Sequence, residues 1–261
     1  MFRSLIVGYH LKNAWWYTAS SRSRTRFART KLGSLWLGVS SLLVTIILVV
    51  VYGTVFQVES PREYFTYLAL GLSSWNYISA SVSSAPDLFD HNKDNIKNNN
   101  INPVFYALEE WSFQLQTFIQ IAIVMILAIA FVNPSTLINI LLLKWTLPFI
   151  NLALLMYWLP LLICIAGSKY RDLYQLIPAA VQLLFLITPV LYKKQSLGAF
   201  EWIAQINPVF IVINPVRESI IGSDAPFISL PIVCVMVLNV LGCIFSTRML
   251  DRTRYYLPTR L

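Results

Sequence analysis

Residues 32–58 read LGSLWLGVSSLLVTIILVVVYGTVFQV, uncharged from end to end. About 20 helical residues cross the ~30 Å of hydrocarbon in a bilayer, so this stretch is long enough to span it. Its apolar character is continuous, whereas a barrel strand would alternate over about ten residues. An isolated strand in lipid leaves its backbone groups unsatisfied, and a helix does not. Five further stretches have the same character: 64–86, 111–132, 137–166, 173–192 and 225–247. The turn Asn133-Pro134-Ser135 precedes the fourth of these, which is interrupted by Lys144 and carries Pro148 and Pro160. Composition agrees, with 57% of residues hydrophobic and 12% charged, against roughly 45–50% and about 25% in a soluble domain. The expected fold is therefore all-α: one transmembrane domain of six helices over residues 1–261.

Orientation follows from the basic residues, which favour cytoplasmic loops. With the N-terminus inside, Arg3, Lys12, Arg22, Arg24, Arg26, Arg29 and Lys31 are cytoplasmic. So are Lys93, Lys97, Lys169, Arg171, Arg248, Arg252, Arg254 and Arg260. Outside lie Arg62, Lys193, Lys194 and Arg217, while Lys144 can snorkel to the outer headgroups. Fifteen against four, out of 20, predicts both termini in the cytoplasm and an even number of crossings. The net charge of +8 then needs no nucleic acid to explain it.

Four polar segments remain. The arm, 1–31, carries Trp15, Trp16 and Tyr17 ahead of a basic run, with no apolar core or cleavage site of a signal peptide. It suits an amphipathic helix in the inner interface, held by its rings and by anionic lipid, or else a plain basic flank. The segment 87–110, with Asp87, Asp90, Lys93, Asp94 and Lys97, is too long for a tight turn. It is read as one or two helices offered to a cytosolic partner, or as a solvated connector. Residues 193–224 are apolar for an outer loop. Leu197, Phe200, Ile203 and Ile206 recur every three residues as on a helix face. Asn207-Pro208 breaks the chain, and Asn214-Pro215 reads as an N-cap with proline at the first helical position, the helix stopping at Gly222. Two short helices joined this way form a re-entrant hairpin. Residues 248–261 are a cytoplasmic tail.

Enzymatic signatures are missing. Gly33 to Gly38 has the spacing of a phosphate loop, but Val39 and Ser40 follow instead of Lys and Ser/Thr. His10 and His91 are far apart, and Cys164, Cys234 and Cys243 sit in apolar runs without ligand spacing. No carboxylate falls within the six spans, which argues against an ion-coupled carrier or an intramembrane acid–base enzyme. If the protein moves something, the energy comes from a partner.

The stretch Arg22-Ser-Arg-Thr-Arg-Phe-Ala-Arg-Thr-Lys-Leu-Gly-Ser-Leu-Trp36 resembles the start of ABC-2 type permeases that export polysaccharides, an Arg-rich run followed by Leu-Gly-x-x-Trp. Lys169-Tyr-Arg-Asp-Leu173, with Arg171 and Asp172, resembles their Arg-Asp element, and Thr188-Pro-Val-Leu-Tyr192 their Thr-Pro-Val-x-Tyr corner. Asn207-Pro208 with Arg217 is similar to their outer re-entrant segment. Many relatives carry a Lys-Lys-x-x-x-Pro-Arg element after the second span. Here Ile96-Lys-Asn-Asn-Asn-Ile-Asn-Pro103 stands instead, so docking contacts do not carry over residue by residue.

The resemblance implies half a transporter in a bacterial inner membrane. It pairs with a second copy of itself and with two cytoplasmic ATPase subunits, which bind ATP and Mg, so the chain needs no cofactor of its own. The cargo implied is a lipid-linked polysaccharide, O-antigen before capsule or teichoic acid. Tyr52, Trp75, Tyr77, Trp158 and Tyr192 are then pore candidates, since ring faces suit sugar C–H groups, or else interfacial and packing aromatics. A membrane scaffold that recruits a cytosolic partner without transport is the competing reading.

Overall fold

The structure is a computed structural model that describes residues 3–98, 101–222, 230–254 and 256–257. Its helices, numbered in chain order, are α1 (Arg3–His10), α2 (Lys12–Arg26), α3 (Leu35–Val55), α4 (Pro61–Ser83), α5 (Leu88–His91), α6 (Lys93–Asn98) and α7 (Val104–Val132). They continue with α8 (Leu137–Leu141), α9 (Thr146–Gly167), α10 (Leu173–Ile187), α11 (Glu201–Ile206), α12 (Pro208–Ile221) and α13 (Leu230–Thr253). Short 3-10 turns cover Pro134–Thr136 and Lys194–Phe200. No strand occurs among the described residues.

α4 is the centre of the molecule. It packs against α3, α7, α9, α10 and α12, and nearly every residue from Tyr64 to Val82 is buried. Wrapped in protein rather than lipid, it carries small and hydroxylated residues (Thr66, Gly71, Ser73, Ser74, Ser81) that let neighbouring backbones approach. The lipid-ready surface lies elsewhere. α3, α7, α9 and α13 are the four helices long and apolar enough to cross a membrane. α3 buries only Gly38 and Thr45 and exposes side chains such as Leu43, Ile47 and Val50. Gly38 lets it lie close on α7, because a Cβ there would run into Val124. α9 and α13 are joined by amides: Asn239 Nδ2 donates to the Asn151 carbonyl at 3.1 Å, and Trp158 Nε1 to Asn239 Oδ1 at 3.1 Å.

The helix bounds depart from the expected spans for local reasons. α10 stops at Ile187 rather than running to Tyr192, because Thr188 precedes a proline and takes an extended conformation (φ −80°, ψ 130°). The fourth stretch is broken near Lys144, with Leu143 at φ 54°, so the long helix begins at Thr146. α7 begins at Val104, drawing Glu109 and Glu110 into the helix. α4 begins at Pro61, where proline occupies the first turn. α13 runs past Thr247 to Thr253; the expected start of that span at Ala225 lies outside the described residues, as do Asn99, Asn100, Asp224 and Arg260.

Two expectations for residues 193–222 need correction. The helix cap is Asn207, whose Oδ1 accepts from the Val209 and Phe210 backbone N–H groups at 2.9 and 3.3 Å. Asn214-Pro215 is not a start, since α12 continues through it. Both Asn-Pro pairs fit the same sequence signal, and the backbone N–H and hydroxyl partners of the Asn207 side chain decide between them. The threefold apolar row ahead of it is not one helix either. Gly198, at φ 53° and ψ −119°, kinks Lys194–Phe200 away from α11, and Phe200 and Ile206 stay exposed.

Candidate functional site

At one end of α4 the corner 188–192 follows α10, and each of its last four carbonyls is met. Arg217 Nη1 donates to Pro189 O and Nη2 to Val190 O, both at 2.8 Å. Tyr64 Oη donates to Leu191 O at 2.6 Å, and Tyr67 Oη lies 2.8 Å from Tyr192 O and 3.0 Å from Pro189 O. Asn207 Nδ2 reaches Thr188 Oγ1 at 2.9 Å. Arg217 Nε donates to the Tyr67 carbonyl at 3.2 Å, and the guanidinium lies 3.8 Å from the Tyr67 ring centroid. Asn207, Pro208, Arg217 and the Thr-Pro-Val-Leu-Tyr corner are thus one cluster. Arg217 is 2% exposed. Although counted among the outer cations, it offers no charge to the surroundings; it holds the corner against α4. Gly71 makes room for it, because a Cβ there would overlap its guanidinium. Tyr64, Tyr67 and Gly71 were not singled out from sequence, although the i, i+3 tyrosine pair on one helix face was a usable signal.

The other end of α4 gathers the arm and the connector. Glu110, 7% exposed, accepts from Arg22 Nη1 at 2.8 Å, from Gln114 Nε2 at 2.8 Å and from Ser84 Oγ at 3.1 Å. One carboxylate therefore joins α2, the C-terminus of α4 and the start of α7. Arg22 also lies 4.1 Å from the Phe113 ring centroid, and Trp15 meets Trp111 edge-on at 6.2 Å. Of the arm residues picked out by sequence, Arg22 is tied into the molecule, while Arg24, Arg26, Arg29 and Lys31 are exposed. α1 carries the N-terminus to the same end: Ser4 Oγ donates to Asp251 Oδ1 on α13 at 2.6 Å. In the connector, Phe89 and Ile96 are buried while Asp87, Lys93, Asp94 and Lys97 are exposed. Asp90 faces Arg171 at 3.9 Å, a loose and mostly solvated pair, with Asp172 exposed beside it.

The five aromatic candidates do not converge. Trp75 packs on Phe185 at 5.2 Å, Tyr52 stacks on Phe56 at 5.8 Å, and Trp158 is held by Asn239. Tyr192 turns its hydroxyl back toward Leu186 and Ile187 carbonyls. Tyr77 is stacked on Phe118 at 4.7 Å and 3°, and of the five it alone lines a cleft of about 430 Å³ between α3, α4 and α7.

Long apolar helices around a protein-wrapped centre, with polar clusters at the two ends of α4, define a multi-pass membrane protein. The chain belongs to the ABC-2 type transporter family, whose family model matches residues 16–221, from α2 to the last residue of α12. Two curated relatives from Klebsiella pneumoniae are both described as O-antigen export system permease protein RfbA. The chain is 25% identical to one over 228 residues and to the other over 231 residues. Each match covers 84% of this chain and 85% of the relative.

Proposed function

We propose that the chain is the membrane-spanning subunit of an ATP-driven exporter, moving a lipid-linked polysaccharide, O-antigen in the first instance, across a bacterial inner membrane. A separate cytoplasmic ATPase, present in two copies, binds ATP and Mg, and two copies of this chain enclose the path. Adding α4 and α10 to the four apolar helices gives six crossings. At 1.5 Å per residue α4 is about 34 Å long, enough for the hydrocarbon. α10 is shorter, and the corner 188–192 completes its passage to an outer re-entrant hairpin. The contact between Ser4 and Asp251 favours an even count, because it brings both chain ends to one side.

The observation that carries the reading is the exposed acidic and basic face of the connector, Asp87, Lys93, Asp94 and Lys97. It stands beside an arm locked to the same helices through Glu110. A nucleotide-driven movement pressed on α5 and α6 reaches both α4 and α7 directly. The test is reconstitution with the cognate ATPase in vesicles, scoring the crossing of a polyprenyl-linked glycan. Lys93→Glu, Asp94→Lys and Lys97→Glu together are expected to abolish ATPase binding while leaving the fold intact, since all three side chains are exposed. Binding without any glycan crossing in the unmodified complex would transfer the case to the scaffold reading.

A further inference from the structure

Asn76 is the exception on α4. Its neighbours from Leu68 to Ile78 are buried, yet Asn76 is exposed, and so is Ala80 one turn on. Its carboxamide makes no hydrogen bond among the described residues. An amide facing hydrocarbon without a partner is unfavourable, so this window on an otherwise enclosed helix needs an occupant that supplies hydrogen bonds. The window opens into the cleft of about 430 Å³ between α3, α4 and α7, which lies in the half of α4 nearer the connector.

The cleft has a definite chemistry. Ser40, Ser41, Thr45, Gln114 and Thr117 line it along with Asn76, and no Asp, Glu, Lys, Arg or His does so. The hydroxyls of Ser40, Thr45 and Thr117 donate to their own helix carbonyls, which leaves their oxygens free to accept. Asn76 supplies both a donor and an acceptor. Tyr77 and Phe118, stacked on each other and buried, close one wall, and the Tyr77 hydroxyl has no hydrogen-bond partner among the described residues. A phosphate would find no cation here, and an acyl chain would leave the amide unmet. A neutral polyhydroxylated ring satisfies the hydroxyl acceptors and the amide together.

We propose that this cleft is a sugar-binding subsite, taking neutral hexose units of the cargo on the connector side of the bilayer. The proposal rests on the exporter reading and adds to it the place where the glycan is first held. Gln114 links it to the arm: its Nε2 is fixed by Glu110, the same carboxylate that holds Arg22. Movement of the arm or connector therefore reaches a wall of the cleft directly.

The test uses the complete complex with its ATPase in vesicles containing a radiolabelled polyprenyl-diphosphate-linked oligosaccharide of neutral hexoses. A photoreactive benzoylphenylalanine is placed at Ala80 and, as a control, at Leu127 on the exposed face of α7. Label is expected at position 80 and not at 127. Asn76→Leu is expected to slow glycan transport by about tenfold, the equivalent of one hydrogen bond, with basal ATP hydrolysis retained, and Asn76→Ser to recover part of the rate. Crosslinking at position 80 to phospholipid or to a second copy alone, in a complex that transports glycan, would overturn the subsite and leave the exporter reading standing. Unchanged transport by Asn76→Leu has the same meaning. An unmodified complex that moves no glycan brings down both.

Discussion

Arg217 carries its charge where no carboxylate pairs with it among the described residues, and three backbone carbonyls and the Tyr67 ring take that role. Its value lies in geometry, because the rigid planar fork reaches carbonyls on two elements at fixed positions, whereas an ammonium is a compact point with three rotatable donors. Arg217→Leu strands the Val190 carbonyl and takes one donor each from Tyr67 and Pro189, an unmet group costing about 1–3 kcal/mol. Arg217→Lys recovers only part of this. Thermal aggregation of the purified protein in detergent should rank the wild type above lysine and lysine above leucine. Gly71→Ala tests the same contact from the opposite side. Its added methyl falls on the guanidinium, and over-packing of this kind costs about 1–3 kcal/mol. A melting temperature unchanged by Gly71→Ala would show that the arginine has room to move.

At the scale of elements, the decisive joint is the one between α2 and α7. Arg22 and Glu110 form a charge-assisted hydrogen bond whose acid is buried, and losing the acid leaves Ser84 and Gln114 short of an acceptor and Arg22 only the looser Glu109 at 3.9 Å. Glu110→Ala should therefore be worse than Arg22→Ala, by about 1–2 kcal/mol on the hydrogen-bond scale. Both should free the arm, seen as faster tryptic cleavage at Arg24 and Arg26. A double-mutant cycle with no coupling would refute the joint. The exposed Arg26, Arg29 and Lys31 act differently. Their replacement by Glu should leave tryptic protection of the docked part of α2 intact but weaken the arm's hold on anionic lipid by about 1 kcal/mol per residue. Vesicle co-flotation of the arm peptide at low and high salt measures this.

For the whole molecule, the arrangement is an inversion of the soluble rule. The most buried helix, α4, is not among the four long and apolar enough to cross a membrane, while α3, the most apolar of those four, is also the least buried of them. Hydropathy reports contact with lipid, and α4 meets protein on almost every side. Tags at the N- and C-termini should both report the cytoplasmic side. In a cysteine-free background, Lys97→Cys should react with an impermeant maleimide only in inverted vesicles and Ser196→Cys only in right-side-out ones. Reaction of both from one side would contradict the expected topology.

Much of this was legible in the linear chain because it depends on composition over a window. Long uncharged runs require helices in lipid whatever their neighbours, and the clustering of Lys and Arg carries the expected orientation. The resemblance in the Arg-rich arm, the Thr-Pro-Val-Leu-Tyr corner and Asn207-Pro208 agreed with the family match. Other features depend on contacts between residues far apart in sequence, and only the tertiary structure decided them. It chose Asn207 over Asn214 as the cap. It buried Arg217 under the corner and set the five aromatic candidates apart from one another. It also turned Asn76 outward on a helix otherwise enclosed. Periodicity and charge say which residues avoid water, whereas a partner for a polar group is set by what the fold brings within three ångströms of it.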